Sequence, residues 1–118
     1  MTIKEAFGRY GEDLAEVMLR ELGYVIEDRN WWCPLGELDI VAWHGDVLVF
    51  VEVKTRSSGA FGTAAEAVTR RKLVKMRRVA RQWLIAKRPP YAAVRFDVVT
   101  VTTSRTGPPE VEHLFGVG

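Results

Sequence analysis

Apolar residues recur at helical spacing from Phe7 through Tyr10, Leu14, Val17 and Met18 to Leu22, a stripe that predicts an amphipathic first helix. Thr2 followed by Glu5 is a capping-box pattern at its start, and Gly23 stands where a C-terminal cap belongs. Gly8 and Gly11 lie inside the stripe, each costing about 0.5–1 kcal/mol against Ala, which predicts another backbone packed closely on the first turns. Residues 24–27 read as a short strand, and 28–36 as a loop carrying Trp31, Trp32 and Pro34. Residues 38–44 and 47–54 are rich in β-branched side chains and predict two strands. Gly45-Asp46 between them is a two-residue hairpin signal, because Gly supplies the positive φ of such turns. Ser57, Ser58, Gly59 and Gly62 mark a flexible loop. A long helix is expected over about residues 63–87, with Leu73, Met76, Ala80, Trp83 and Leu84 on its apolar face and Pro89-Pro90 as its stop. Residues 91–102 predict a further strand, and 111–115 a short edge strand beside it.

At 118 residues the chain is one domain, residues 1–118, since two would need roughly 200. With 47% hydrophobic and 27% charged residues it is an ordinary globular composition rather than a disordered one. The longest aliphatic and aromatic run is residues 47–51, too short to span a membrane. The opening MTIKEAFGRYGED lacks the apolar stretch of a secretory signal. A single cysteine, Cys33, excludes an internal disulfide framework and any multi-cysteine zinc site. These features predict a cytoplasmic protein without membrane association.

Charge changes the picture through its distribution. Residues 1–66 hold 6 Lys+Arg and 12 Asp+Glu, a balance of −6, whereas residues 67–118 hold 11 and 3, a balance of +8. No acidic residue occurs between Ala67 and Phe96, where ten Lys or Arg stand. An acidic half and a basic half in one small domain point to a polyanionic partner, with the carboxylates reserved for something else. On the second helix Arg70, Arg71, Lys75, Arg77, Arg78 and Arg81 fall away from the apolar stripe. Such a face could track phosphates, with Arg70, Arg71, Lys75 and Arg78 as the nominated contacts. The plainer alternative is a solvated outer face, although those usually mix signs for i,i+4 pairing.

The most informative stretch is GELDIVAWHGDVLVFVEVKTR, residues 36–56. If Gly45-Asp46 is the loop, His44 pairs with Val47 and paired residue numbers sum to 91. Val41 then faces Phe50, Asp39 faces Glu52, and Glu37 faces Lys54. Opposed side chains lie about 4.5–5.5 Å apart at Cβ, where like charges repel. Asp39 and Glu52 could therefore share a cation, and their oxygens suit Mg²⁺ or Mn²⁺. Lys54, further along the same face, could help activate water or stabilise charge on a phosphate. The alternative is an ion-pair cluster in which Lys54 neutralises Glu37 and Glu52. A three-residue loop would separate Asp39 and Glu52 onto opposite faces.

An acid on one strand followed by Glu-x-Lys on the next resembles the PD-(D/E)xK core of restriction-endonuclease-like nucleases, with Leu38 where the motif name has proline. More closely, Gly11, Glu12 and Ala15, the GELDIVA and VFVEVKTR blocks, the basic helix and RFDVV (residues 95–99) resemble the uncharacterised YraN-type bacterial endonuclease-like family. That family is similar in core to archaeal Holliday-junction resolvases. The resemblance covers nearly the whole chain. It implies an α/β restriction-endonuclease-like core, a mixed central β-sheet flanked by helices in the order α-β-β-β-α-β(-β), and metal-dependent cleavage of phosphodiesters. Carried over, Asp39 and Glu52 become metal ligands, Lys54 the catalytic lysine and Glu12 an additional ligand from the first helix. Glu37 matches the family block as a supporting residue that orients Lys54.

The expectation is thus a Mg²⁺- or Mn²⁺-dependent endonuclease acting on DNA, with branched or flapped forms as candidate substrates. A junction substrate would favour a homodimer. Two alternatives stay open: a nucleic-acid-binding module of the same fold with little intrinsic activity, and a protein-interaction domain that uses its basic helix. Trp31 and Trp32 could stack on unpaired bases, with burial of at least one the plainer expectation. Cys33 reads as a small apolar residue and Asp97 as a structural acid bonding backbone near a strand end. His44 and His113 are poor catalytic candidates.

Overall fold

The computed structural model describes residues 1–59, 62, 63 and 65–117. Helix α1 spans Ile3–Glu21, followed by strands β1 Val25–Cys33, β2 Gly36–His44 and β3 Val47–Ser57. A 3₁₀ turn at Ala65–Ala67 precedes helix α2, Arg70–Lys87, and strands β4 Ala93–Thr103 and β5 Glu110–Leu114 complete the chain. The five strands form one sheet in the order β1-β2-β3-β4-β5. All neighbours are antiparallel except β3 and β4, which run parallel. The expected α-β-β-β-α-β-β order and the mixed sheet between helices are present, an arrangement compatible with a restriction-endonuclease-like core.

The central strand β3 divides the core in two. Val49 and Val51 pack with Ala15 and Leu19 of α1 on one face, together with Ile40, Ala42, Val99 and Val101. Leu48 and Phe50 pack on the other face with Met76, Val79, Ala80 and Trp83 of α2. Strand β3 is apolar on both faces because both are covered. The hairpin register follows the Gly45-Asp46 turn, with His44 opposite Val47, Trp43 opposite Leu48 and Val41 opposite Phe50.

Three expectations need correction. First, β1 extends to Cys33 rather than ending at residue 27, so Trp31 and Trp32 lie on a strand and not in a loop. A register shift between Ile26 and Asp28 interrupts the alternation that would have marked one long strand. Trp31 packs against the α2-side core, whereas Trp32 is 67% exposed. Second, α2 starts at Arg70, capped by the Thr69 hydroxyl accepting from Lys72 N–H at 3.2 Å. Residue 64 of the longer predicted helix lies outside the described residues. The helix ends at Arg88, in the left-handed conformation, immediately before Pro89-Pro90. Third, Tyr10, Val17 and Leu22 of the first apolar stripe are exposed, and α1 meets the sheet through Gly11, Ala15 and Leu19. Small residues carry little weight in a hydrophobic pattern, yet they let a helix approach a sheet closely.

Two contacts fix the ends of this frame. Thr2 caps α1 by accepting from Glu5 N–H at 3.1 Å, and Gly23 turns the chain out of it at φ +91°. Asp97, fully buried on β4, accepts a two-pronged interaction from Arg95 at 2.9 and 3.0 Å, Gly116 N–H at 3.0 Å, and is bonded to His113 Nε2 at 2.8 Å. These partners hold its carboxyl down to about 2 despite burial. Asp97 thus fastens β5 and the C-terminal segment to β4, the structural part expected of it.

Gly11 serves a different need. A Cβ there would meet the Thr55 side chain of β3, with Oγ1 at 1.9 Å, so the close partner is a side chain rather than a backbone. Nothing lies within 4 Å of the corresponding position on Gly8. The contact sets the height of α1 over β3, and with it the position of Glu12. Gly11→Ala is expected to destabilise by about 1–3 kcal/mol through overpacking, despite the helix propensity gained. In a Thr55→Ala background the same substitution should cost measurably less in urea unfolding. Equal cost in both backgrounds would mean that Thr55 does not set the approach.

Candidate metal centre

The hydrogen-bonded ladder between β2 and β3 runs from His44–Val47 to Ile40–Val51 and stops there. Beyond it the strands part, and the Asp39 carboxylate accepts Val53 N–H at 2.8 Å. Side-chain alternation breaks at the same place. Ile40 and Ala42 pack on the α1 side and Val41 on the α2 side, yet Leu38 packs on the α2 side as well. Asp39 therefore stands where two strands diverge, and not on a ladder rung opposite Glu52.

Three carboxylates converge at this divergence. Glu12 of α1 and Glu37 and Asp39 of β2 each offer an oxygen within 4.8 Å of the other two. Glu12 is a half-buried side chain, 17% exposed, and not a solvated helical glutamate. Asn30 joins the group: its Nδ2 donates to Glu12 Oε1 at 2.8 Å and to Glu37 Oε1 at 2.9 Å. Asn30 sits at φ +51°, a left-handed conformation that Asn tolerates better than most residues. Arg29 reaches Glu12 at 3.3 Å but divides its charge with Asp13 at 2.8 Å and Glu16 at 3.2 Å. Neither Arg29 nor Asn30 stands out in the sequence, because the polar run Glu27–Asn30 and the turn-forming Pro34 and Gly36 carry a loop pattern. The one available signal was Asn30 itself, a residue type that favours positive φ.

Glu52 lies in the same cleft, a cavity of about 360 Å³ lined also by Glu37, Asp39, Lys72 and Lys75. It belongs to the cleft wall rather than to the three-oxygen cluster. Burial pushes the Glu52 carboxyl up, opposed by the positive charges of Lys72, Lys54 and Lys75. Lys54 is exposed, and among the described residues no ion pair joins it to Glu37 or Glu52. The ion-pair cluster considered from the sequence is thus not formed. Lys72 was missed because its wheel position borders the apolar stripe. It donates to Ala67 C=O at 3.4 Å while facing Glu52 electrostatically. Arg70, Arg71, Lys75 and Arg78 are exposed and line a neighbouring groove along α2. Lys75 borders both the groove and the cleft.

Burial drives the Asp39 carboxyl from 3.8 up to about 7; the Val53 N–H pulls it down, and the charges of Glu12, Glu52 and Glu37 raise it further. A group held in that state accommodates either a proton or a cation. The donors are all carboxylate oxygens, which suit a hard divalent ion such as Mg²⁺ or Mn²⁺ and not a thiophilic metal. The residues present fit such an ion, which Glu12, Glu37 and Asp39 could hold.

Comparison with known proteins finds relatives that span the chain. A family model described as "Uncharacterised protein family UPF0102" matches residues 11–101, which include every acidic residue of the cleft. A UPF0102 protein of Beutenbergia cavernae is 53% identical over 118 residues, covering 100% of both chains. One from Frankia casuarinae is 50% identical over 116 residues, covering 98% of each. One from Streptomyces griseus is 48% identical over 118 residues, covering 99% of each.

Asp39 predicts a pH dependence with a definite sign. Its folded value, about 7, lies above the ordinary 3.8, so its stabilising contribution is complete below about pH 4 and is lost as pH rises through 7. In EDTA the wild type should lose about 2–4 kcal/mol from this group across that interval. Asp39→Asn, whose amide oxygen can still accept Val53 N–H, should lack that loss. At pH 8 Mg²⁺ or Mn²⁺ should raise the melting temperature of the wild type and leave Asp39→Asn unmoved. Identical pH profiles for the two proteins would remove Asp39 from this account.

Proposed function

We propose that this chain, which belongs to the uncharacterised protein family UPF0102, hydrolyses DNA phosphodiester bonds with a divalent cation. The observation that carries the proposal is the convergence of Glu12, Glu37 and Asp39 beside a lysine-lined cleft. Carboxylates alone would repel a phosphate, and lysines alone would bind it without chemistry. Their juxtaposition suits an anionic substrate that is attacked by water.

Glu12, Glu37 and Asp39 would hold the Mg²⁺ or Mn²⁺ ion. Bound there, such an ion supplies a polarised water and offsets charge developing at phosphorus. Glu52, which lines the cleft and whose carboxyl is raised by burial, would accept a proton there. Lys72 and Lys75 border the same space and would engage the phosphate oxygens. Lys54, exposed two residues beyond Glu52 on β3 and near enough to act on its charge, would offer its ammonium to the scissile phosphate. Arg70, Arg71, Lys75 and Arg78 would hold the flanking backbone, giving affinity that falls with salt.

The test is cleavage of labelled duplex, single-stranded, flapped and four-way DNA with Mg²⁺, Mn²⁺ or EDTA. Metal-dependent cutting is expected, reduced about 10²-fold or more in Asp39→Asn, Glu37→Gln and Glu52→Gln. Equal losses for Glu37 and Asp39 would place Glu37 at the ion, whereas a small Glu37 effect would leave the ion to Glu12 and Asp39. Binding without cutting under every metal would reduce the protein to a nucleic-acid-binding module. Sedimentation of the protein with a four-way junction reads whether a homodimer engages it.

A further inference from the structure

Beside the cleft, the turn between β1 and β2 and the outer side of α2 enclose a second cavity of about 620 Å³. Its cations are Arg70, Arg71, Lys75 and Arg78, and Leu35 and Val74 line it beside them, 50% and 40% exposed. We propose that this groove holds an unpaired DNA strand, base faces on Leu35 and Val74 and phosphates on the four cations, and leads it into the acidic cleft. The inference rests on the preceding assignment of DNA as substrate and adds which form of DNA is engaged.

Charge complementarity alone would accept either form. A duplex presents phosphates and sugars to a surface groove of this kind and keeps its base faces stacked inside. The exposed apolar floor then gains nothing and is merely covered. An unpaired strand offers both a charged edge and apolar base faces, which matches a groove of cations around an apolar floor. Continuity with the cleft comes from Lys75, which lines both spaces, and from Gly36 at the hairpin tip. A Cβ on Gly36 would lie 3.1 Å from Lys75 Cε and from Val79 Cγ2, so the tip is seated directly on α2. Trp32 pairs in register with Glu37 and is 67% exposed, a second apolar face next to the same cluster.

The experiment is fluorescence anisotropy in EDTA with a labelled 20-nucleotide single strand and its matched duplex. Wild-type protein should prefer the single strand by about tenfold. Leu35→Ser/Val74→Ser keeps every cation and alters only exposed positions. It should bring the preference close to one while leaving duplex affinity unchanged. Arg70→Gln/Arg71→Gln should weaken both DNAs alike and lower the salt slope. Equal or tighter duplex binding by the wild type, no binding to either DNA, or a preference that survives the Leu35/Val74 change would each overturn the inference. Because no metal is present, failure of cleavage elsewhere leaves this outcome readable, and failure here leaves cleavage of another DNA form readable.

Discussion

The separation of β2 from β3 below the Ile40–Val51 pair is the constraint on which the rest of the site depends. A partly buried backbone N–H left by a parting strand must find an acceptor or incur a cost of a few kcal/mol. Val53 N–H finds the Asp39 carboxylate. That one bond holds Asp39 inside the opening, where it is within reach of Glu37 on its own strand and Glu12 on α1. Had the ladder continued, Asp39 would have faced one way only, and α1 could not have contributed an oxygen.

Two aspartates together show what sets this position apart. Asp97 is more completely buried than Asp39, yet its carboxyl is held near 2, because Arg95, His113 and Gly116 N–H supply what ionisation requires. Asp39 has one N–H and three neighbouring acids, and its carboxyl rises to about 7. Asp97 is therefore neutralised by its own chain and acts as a fastening. Asp39 is left with a deficit of positive charge. Arg29 does not correct it, since its guanidinium is shared among Glu12, Asp13 and Glu16. The raised carboxyl of Asp39 is thus a property of the geometry around it, namely burial, a single N–H and three neighbouring acids.

Much of this was legible in the sequence. The Gly45-Asp46 turn determined the register of the central hairpin, and Thr2, Gly23 and Pro89-Pro90 marked helix ends through local chemistry. Asp39, Glu52 and Glu12 were each singled out, and all three lie in or at the same opening. What escaped is tertiary. The divergence of β2 from β3 cannot be seen in a pattern of period two, so Asp39 and Glu52 were placed on one rung. The irregularity near Ile26 concealed the length of β1 and with it Asn30. On α1, Gly11 and Ala15 form the contact face through their smallness, to which a hydrophobic pattern gives little weight.

The connection between parallel strands explains why the basic helix arrives at the acids. Strands β3 and β4 start together, Val47 beside Ala93, and end together, Ser57 beside Thr103. The chain leaving β3 must therefore return the length of the sheet before β4 begins, and α2 makes that return. Its first turns then lie at the Glu52 end, and its last turn at the opposite end, where Trp83 and Lys87 contact Asp28. Lys72 and Lys75 are brought over the cleft by topology alone. The charge pattern of that helix runs against its own stability, since its first turn carries Arg70 and Arg71 and no acid. Cations at the positive end of a helix dipole cost about 0.3–1 kcal/mol each. A phosphate lying against them reverses that sign, because a helix N-terminus and two guanidinium groups then act together on an anion. A first turn so arranged is unfavourable in the free protein and would be favourable against the polyanion of the proposed function.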